Sequence, residues 1–120
     1  MSFLYVGIGG AIGAMLRYAI SLIPTKSTFP ILTLITNVIG AFAIGVIVAL
    51  ATRRGLSDNC ILLLKTGVCG GFTTFSTFSL EAYNLLKDKK TVQGILYALL
   101  SLVLCIVAVM LGEFLFSRNS

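Results

Sequence analysis

The residues best suited to chemistry in this chain lie in one run, Gly70-Gly71-Phe72-Thr73-Thr74-Phe75-Ser76-Thr77-Phe78. It places two glycines, four hydroxyls and three phenyl rings inside an otherwise apolar segment. A helix that only spans a bilayer needs none of these together. Glycine loosens a helix, and each hydroxyl asks for a partner that lipid cannot supply. Adjacent glycines followed by Phe72-Thr73-Thr74 predict a break in the helix. Unwound backbone at membrane depth is tolerated where it is buried in protein or lines a cavity. Broken helices offer carbonyls to cations and amides to anions. After the break, Thr74, Thr77, Phe78 and Glu81 follow helical spacing, and Phe75 and Phe78 stack one above the other.

Composition identifies the elements that must position this run. The chain is 58% hydrophobic and 11% charged, with a mean hydropathy of +1.04. Those values lie outside the range of a soluble domain. Four apolar stretches account for them, at approximately 3–23, 31–51, 60–86 and 92–116. Each reaches the roughly 20 residues that cross a bilayer core. The expectation is an all-α integral membrane protein, a single four-helix domain over residues 1–120, with the third helix broken near its middle. The N-terminus lacks a basic leader and Arg17 interrupts the first stretch, so that stretch is expected to remain as a membrane helix rather than be cleaved.

The second stretch carries Thr33, Asn37, Ala41, Gly45 and Ala49 at steps of four, on one helix face. Its small residues permit close packing, and Asn37 projects an amide into the seam. That amide serves either as interhelical glue or as a pore-lining donor, and the sequence leaves both open. The fourth stretch repeats the pattern with Tyr97, Ser101, Cys105, Ala108 and Gly112, either a packing face or the polar side of a permeation path. The first stretch has Gly9 and Gly13, and Gly10 and Ala14, as small-xxx-small pairs. Its glycines do not form a dinucleotide fingerprint, since no βαβ unit or acidic partner follows. Glu81 is readable as an end charge or an anchor for Arg17, and Glu113 is expected to reach interfacial water.

Charge bears on orientation. The first and third loops hold Lys26, Lys87, Lys89 and Lys90; the second loop and C-terminal tail hold Arg53, Arg54 and Arg118. Arg17 and Lys65 add one to each side, giving five against four. Helices orient by Lys/Arg asymmetry, and almost none exists here. The chain is therefore expected to insert in both orientations and to pair with an inverted copy.

Function classes narrow accordingly. There is no histidine, there are four acidic residues, and Cys60, Cys69 and Cys105 follow no metal or disulfide spacing. An enzyme is not expected. No carboxylate lies in the middle of a span, as a proton-coupled exporter would require. The donors Asn37, Ser76, Thr77, Tyr97 and Ser101 suit an anion. Phenyl rings present a positive edge, which favours a small hard anion without trapping it.

The run from Gly70 to Phe78 resembles the signature of the Fluc (CrcB-like) fluoride channels. So do Gly9-Gly10-Ala11-Ile12-Gly13-Ala14-Met15-Leu16-Arg17-Tyr18 and Asn37-Val38-Ile39-Gly40. The resemblance spans all four stretches. It implies an antiparallel dual-topology dimer with two fluoride pores and a central structural sodium ion, in a bacterial-type plasma or inner membrane. It implies passive export of cytoplasmic fluoride, which lowers fluoride toxicity. By the same resemblance, Phe75 and Phe78 give the ring edges, Asn37 the pore amide, and Ser76 and Thr77 the hydroxyls beside the rings. Tyr97 and Ser101 match a polar track on the last span. Cys105 stands where that track would hold a hydroxyl, and a thiol is a weaker donor. The Gly70 and Thr73 carbonyls match the sodium ligands, and Arg17 and Glu81 match vestibule or structural charges. The partner is a second copy or a related paired chain. The rivals are a small four-helix dual-topology multidrug exporter, which would need a carboxylate where the first span has Arg17, and a non-transporting scaffold, which would not need the hydroxyl–phenyl run.

Overall fold

The computed structural model describes residues 2–117 and is all-helical over them. Arg118 and Ser120 lie outside the described residues. Four helical segments are long and apolar enough to cross a membrane. α1 is Ser2–Ser21 and α2 is Ile31–Arg54. The third segment divides into α3, residues 58–72, and α4, Phe75–Lys87. α5 is Thr91–Ser117.

The ends follow from local chemistry. Gly55 adopts the left-handed conformation (φ 65°) and returns its N–H to Ala51 O, which closes α2. Ser57 begins α3 by accepting from the Cys60 N–H, with Asp58 in the first turn at the positive end of the helix dipole. α4 is closed by the turn that follows it, where Lys89 takes φ 64° and Lys90 N–H donates to Leu85 O at 2.8 Å. Inside α3, Leu62–Cys69 is wound as π-helix before α-helical turns resume at Gly70–Phe72. Such turns are rare and frequently accompany functional sites.

Two glycine-mediated seams hold the segments together. α1 lies on α3. A Cβ at Gly9 would stand 2.9 Å from Gly67 Cα, and one at Gly71 would stand 2.5 Å from Gly10 O. A Cβ at Gly13 would meet the Val68 carbonyl and come 2.7 Å from Phe72 N. α2 lies on α5 in the same way, with Gly45 against the Val109 carbonyl and Gly112 against the Phe42 carbonyl. Ala41, Ala49 and Ala108 are buried along this second seam. The lower parts of both small-residue stripes are thus packing surfaces. Without a hydrophobic driving force between helices in lipid, close backbone approach is what binds them.

Large apolar side chains face outward instead, among them Phe3, Met15, Leu102 and Phe114. The buried apolar cluster is small: Leu34, Leu85 and Tyr97, with Phe29 and Phe78 against it. That cluster joins α2, α4 and α5.

Candidate functional site

The break falls at Thr73 and Thr74, not at the glycines that precede them. Gly70 is helical (φ −63°, ψ −37°), whereas Thr73 (ψ 155°) and Thr74 (φ −148°, ψ 119°) are extended. The glycine pair serves different ends. Gly71 admits α1, and Gly70 is exposed with room for a methyl group, its nearest neighbour being Lys65 O at 3.8 Å. A third glycine matters more at the break. Gly40 of α2 leaves space for the Thr73 methyl, which a Cβ there would strike.

Each polar group of the break is taken up in turn. Thr73 sends both its N–H (3.0 Å) and its hydroxyl (2.9 Å) back to Cys69 O. Thr74 turns away, and Asn37 grips it at both ends. Asn37 Oδ1 accepts from Thr74 N–H at 2.8 Å, and Asn37 Nδ2 donates to Thr74 O at 3.1 Å. The Thr74 hydroxyl caps α4 by accepting from Thr77 N–H at 3.1 Å, and it contacts the Ser76 and Thr77 hydroxyls at 3.3 and 3.1 Å. Arg17 Nε donates to Gly71 O at 3.2 Å, placing a cation at the negative end of α3. Because Thr74 N–H is held by Asn37, the Gly70 carbonyl loses its ordinary helical partner.

A ladder of rings runs from α4 to α5. Phe75 and Phe78 lie 5.5 Å apart between centroids, Phe78 and Tyr97 5.0 Å, and Tyr97 and Phe29 5.4 Å. Tyr97 is fully buried and its hydroxyl donates to Glu81 Oε1 at 3.0 Å. Thr33 Oγ1 donates to Glu81 Oε2, also at 3.0 Å. Glu81 therefore binds two hydroxyls, and Arg17 binds a carbonyl; the reading of Glu81 as the anchor for Arg17 gives way to these partners.

The rings open onto a groove of about 230 Å³, lined by Phe75, Phe78, Ser101, Leu102 and Cys105 among others. Phe75 is 78% exposed. Ser101 is 8% exposed and its Oγ has no hydrogen-bond partner. A second, smaller cavity of about 70 Å³ lies behind the break and is lined by Arg17, Ser21, Thr33, Thr36, Thr74 and Thr77. It combines one guanidinium with five hydroxyl-bearing residues, a composition that suits an anion or ordered water. A third cavity, about 460 Å³, opens beside Glu81, Asn84 and Asp88.

The structure thus brings Asn37, Ser76 and Thr77 together around Thr74, and Phe75, Phe78 and Ser101 around the groove. Tyr97 joins both through Phe78 and Glu81. Thr36, 3% exposed beside the smaller cavity, was not singled out in the sequence, although it lies one position before Asn37. Gly40 and the Thr74 backbone were likewise not recognised as the seat of the break. Among the described residues, no group of three or more His, Cys, Asp or Glu could hold a metal ion. A cation here would use backbone oxygens.

Comparison with known proteins agrees with this architecture. Residues 4–113 match the family model described as CrcB-like protein, Camphor Resistance (CrcB). A protein of Roseiflexus sp. named fluoride-specific ion channel FluC is 47% identical over 116 residues, covering 93% of this chain and 94% of that one. A protein of Clostridium acetobutylicum named fluoride-specific ion channel FluC 2 is 41% identical over 118 residues, covering 96% and 97%. A third, from Ruminiclostridium cellulolyticum and also named FluC, is 46% identical over 114 residues, covering 92% and 88%. With four spans and a match along nearly its whole length, the chain is a multi-pass membrane protein that belongs to the CrcB-like family.

Proposed function

We propose that this protein is a fluoride-selective channel that lets cytoplasmic fluoride leave passively, and that it works as an antiparallel dual-topology dimer with two pores. The observation that carries the reading is the groove in which Phe75, Phe78 and the unpartnered Ser101 hydroxyl meet. A small hard anion needs donors to replace its water but must not be held by a full charge. Ring edges and hydroxyls meet both requirements. The names of the relatives supply the identity of the anion.

Fluoride enters acidified cells as the neutral acid and ionises inside. An open anion path then returns it down its electrochemical gradient. On this reading the cavity beside Arg17 collects the anion, and Thr77, Ser76 and the Asn37 amide lead it to the rings. One Asn37 Nδ2 hydrogen remains for that purpose once Thr74 O is bound. Tyr97 and Ser101 continue the track along α5. The inverted second copy would cover the exposed Phe75 and complete each path. The near balance of five cationic residues against four favours such a copy.

The carbonyl set at the break suits a hard monovalent cation. Gly70 O has lost its helical donor to Asn37, and Thr77 N–H, the helical donor for Thr73 O, binds the Thr74 hydroxyl instead. When bound, sodium would supply fixed positive charge that joins the broken helices of two copies.

Fluoride efflux from liposomes holding the purified protein tests the function, with chloride as control. Fluoride should leave and chloride should not. Well-folded protein that passes no fluoride would remove the proposal.

A further inference from the structure

We infer that Cys105 makes the ring-lined groove a site at which small, neutral, thiol-seeking organomercurials bind and close the channel. The inference rests on the channel reading, because it takes the groove as part of the ion path. Of the three cysteines, Cys105 is the one on the groove wall. Cys69 is 4% exposed within α3, and Cys60 lies in the first turn of that helix, where its N–H binds Ser57. Cys105 is partly exposed and follows Ser101 by four residues, so both occupy one face of α5.

A second observation points to a ligand. Ser101 is 8% exposed, lines the same groove, and has an Oγ with no partner. A buried hydroxyl in that state gains from any group that can bond it. Ser101 and Cys105 stand one helical turn apart on that wall.

The rest of the wall selects the reagent. Phe75, Phe78, Leu102 and Ile106 give the groove an apolar wall, against which a neutral organic reagent has no charge to desolvate. A neutral compound such as methylmercury chloride loses little. The Hg–Cl bond breaks, an Hg–S bond forms to Cys105, and chloride and the thiol proton leave to water. No oxidation state changes. The methylmercury group then occupies space beside the Phe78 ring, where the ion is proposed to pass.

The test is fluoride efflux from liposomes before and after methylmercury chloride, each protein compared with its own untreated rate. Wild type should lose at least tenfold of its efflux and regain it with excess dithiol. A variant with Cys60→Ser and Cys69→Ser together should behave like wild type, and peptide mass mapping should place one adduct on Cys105. Cys105→Ser and Cys105→Ala should not respond. An untreated wild type that conducts yet ignores the reagent, an adduct on Cys105 without loss of flux, or sensitivity that survives in either Cys105 variant overturns the inference while leaving the channel reading intact. Absence of untreated efflux overturns the channel reading itself.

Discussion

Asn37→Ala is the most informative single perturbation, because one side chain holds both polar groups of Thr74. Its removal leaves the Thr74 N–H and C=O without partners at the middle of the third span. A buried group left unbonded costs about 1–3 kcal/mol. Thr74 is only half-buried. Interhelical hydrogen bonds in membranes average about 0.6 kcal/mol, since the unfolded chain finds other partners. Two groups at the lower end of these ranges give about 1–2 kcal/mol, a factor of about 5 to 30 in an equilibrium constant. The break should then relax, with Thr74 N–H free to return toward Gly70 O and lengthen α3 by a residue. Heat denaturation in detergent measures the first effect and liposome efflux the second. Asn37→Asp separates them. A carboxylate still accepts from Thr74 N–H but cannot donate to Thr74 O, so part of the stability should return. Wild-type stability and wild-type flux in Asn37→Ala would refute the assignment of Asn37 as the clamp on the break.

The helix seams and the rings make further claims. Gly13→Ala should lower thermal stability by about 1–3 kcal/mol through overpacking against Val68 and Phe72. Gly7→Ala, with nothing within 4 Å of the added methyl, should not; equal losses in both would show that α1 does not dock on α3 as described. Phe75→Ile and Phe78→Ile should each reduce fluoride flux at least tenfold while the proposed dimer, measured by size-exclusion chromatography, persists; unchanged flux in both would sink the ring-edge role. A tag fused after Ser120 should be labelled from both membrane faces, and labelling from one face alone would contradict dual insertion.

Much of this protein was legible in its residues. Four spans follow from length and hydropathy alone, since only a self-satisfied helix of about 20 residues crosses a bilayer core. Gly9, Gly13, Gly45 and Gly112 were readable as close-packing positions, because steps of four keep residues on one face. The run from Gly70 to Phe78 announced a break, because its hydroxyls and glycines have no reason to lie in a plain span. What the sequence did not determine was where the chain turns and which groups hold it. Adjacent glycines permit a break, but they do not require one; both stay helical here, and Gly71 is used to admit α1. The turn goes to Thr73 and Thr74 because Asn37 and Gly40, more than thirty residues away, supply the bonds and the space there. In the same way, only packing decided that Glu81 binds Thr33 and Tyr97 rather than Arg17. Local sequence determines what a segment can do on its own. A hydrogen bond between distant segments is decided by how the helices lie against one another, and here backbone contacts at glycines decide that.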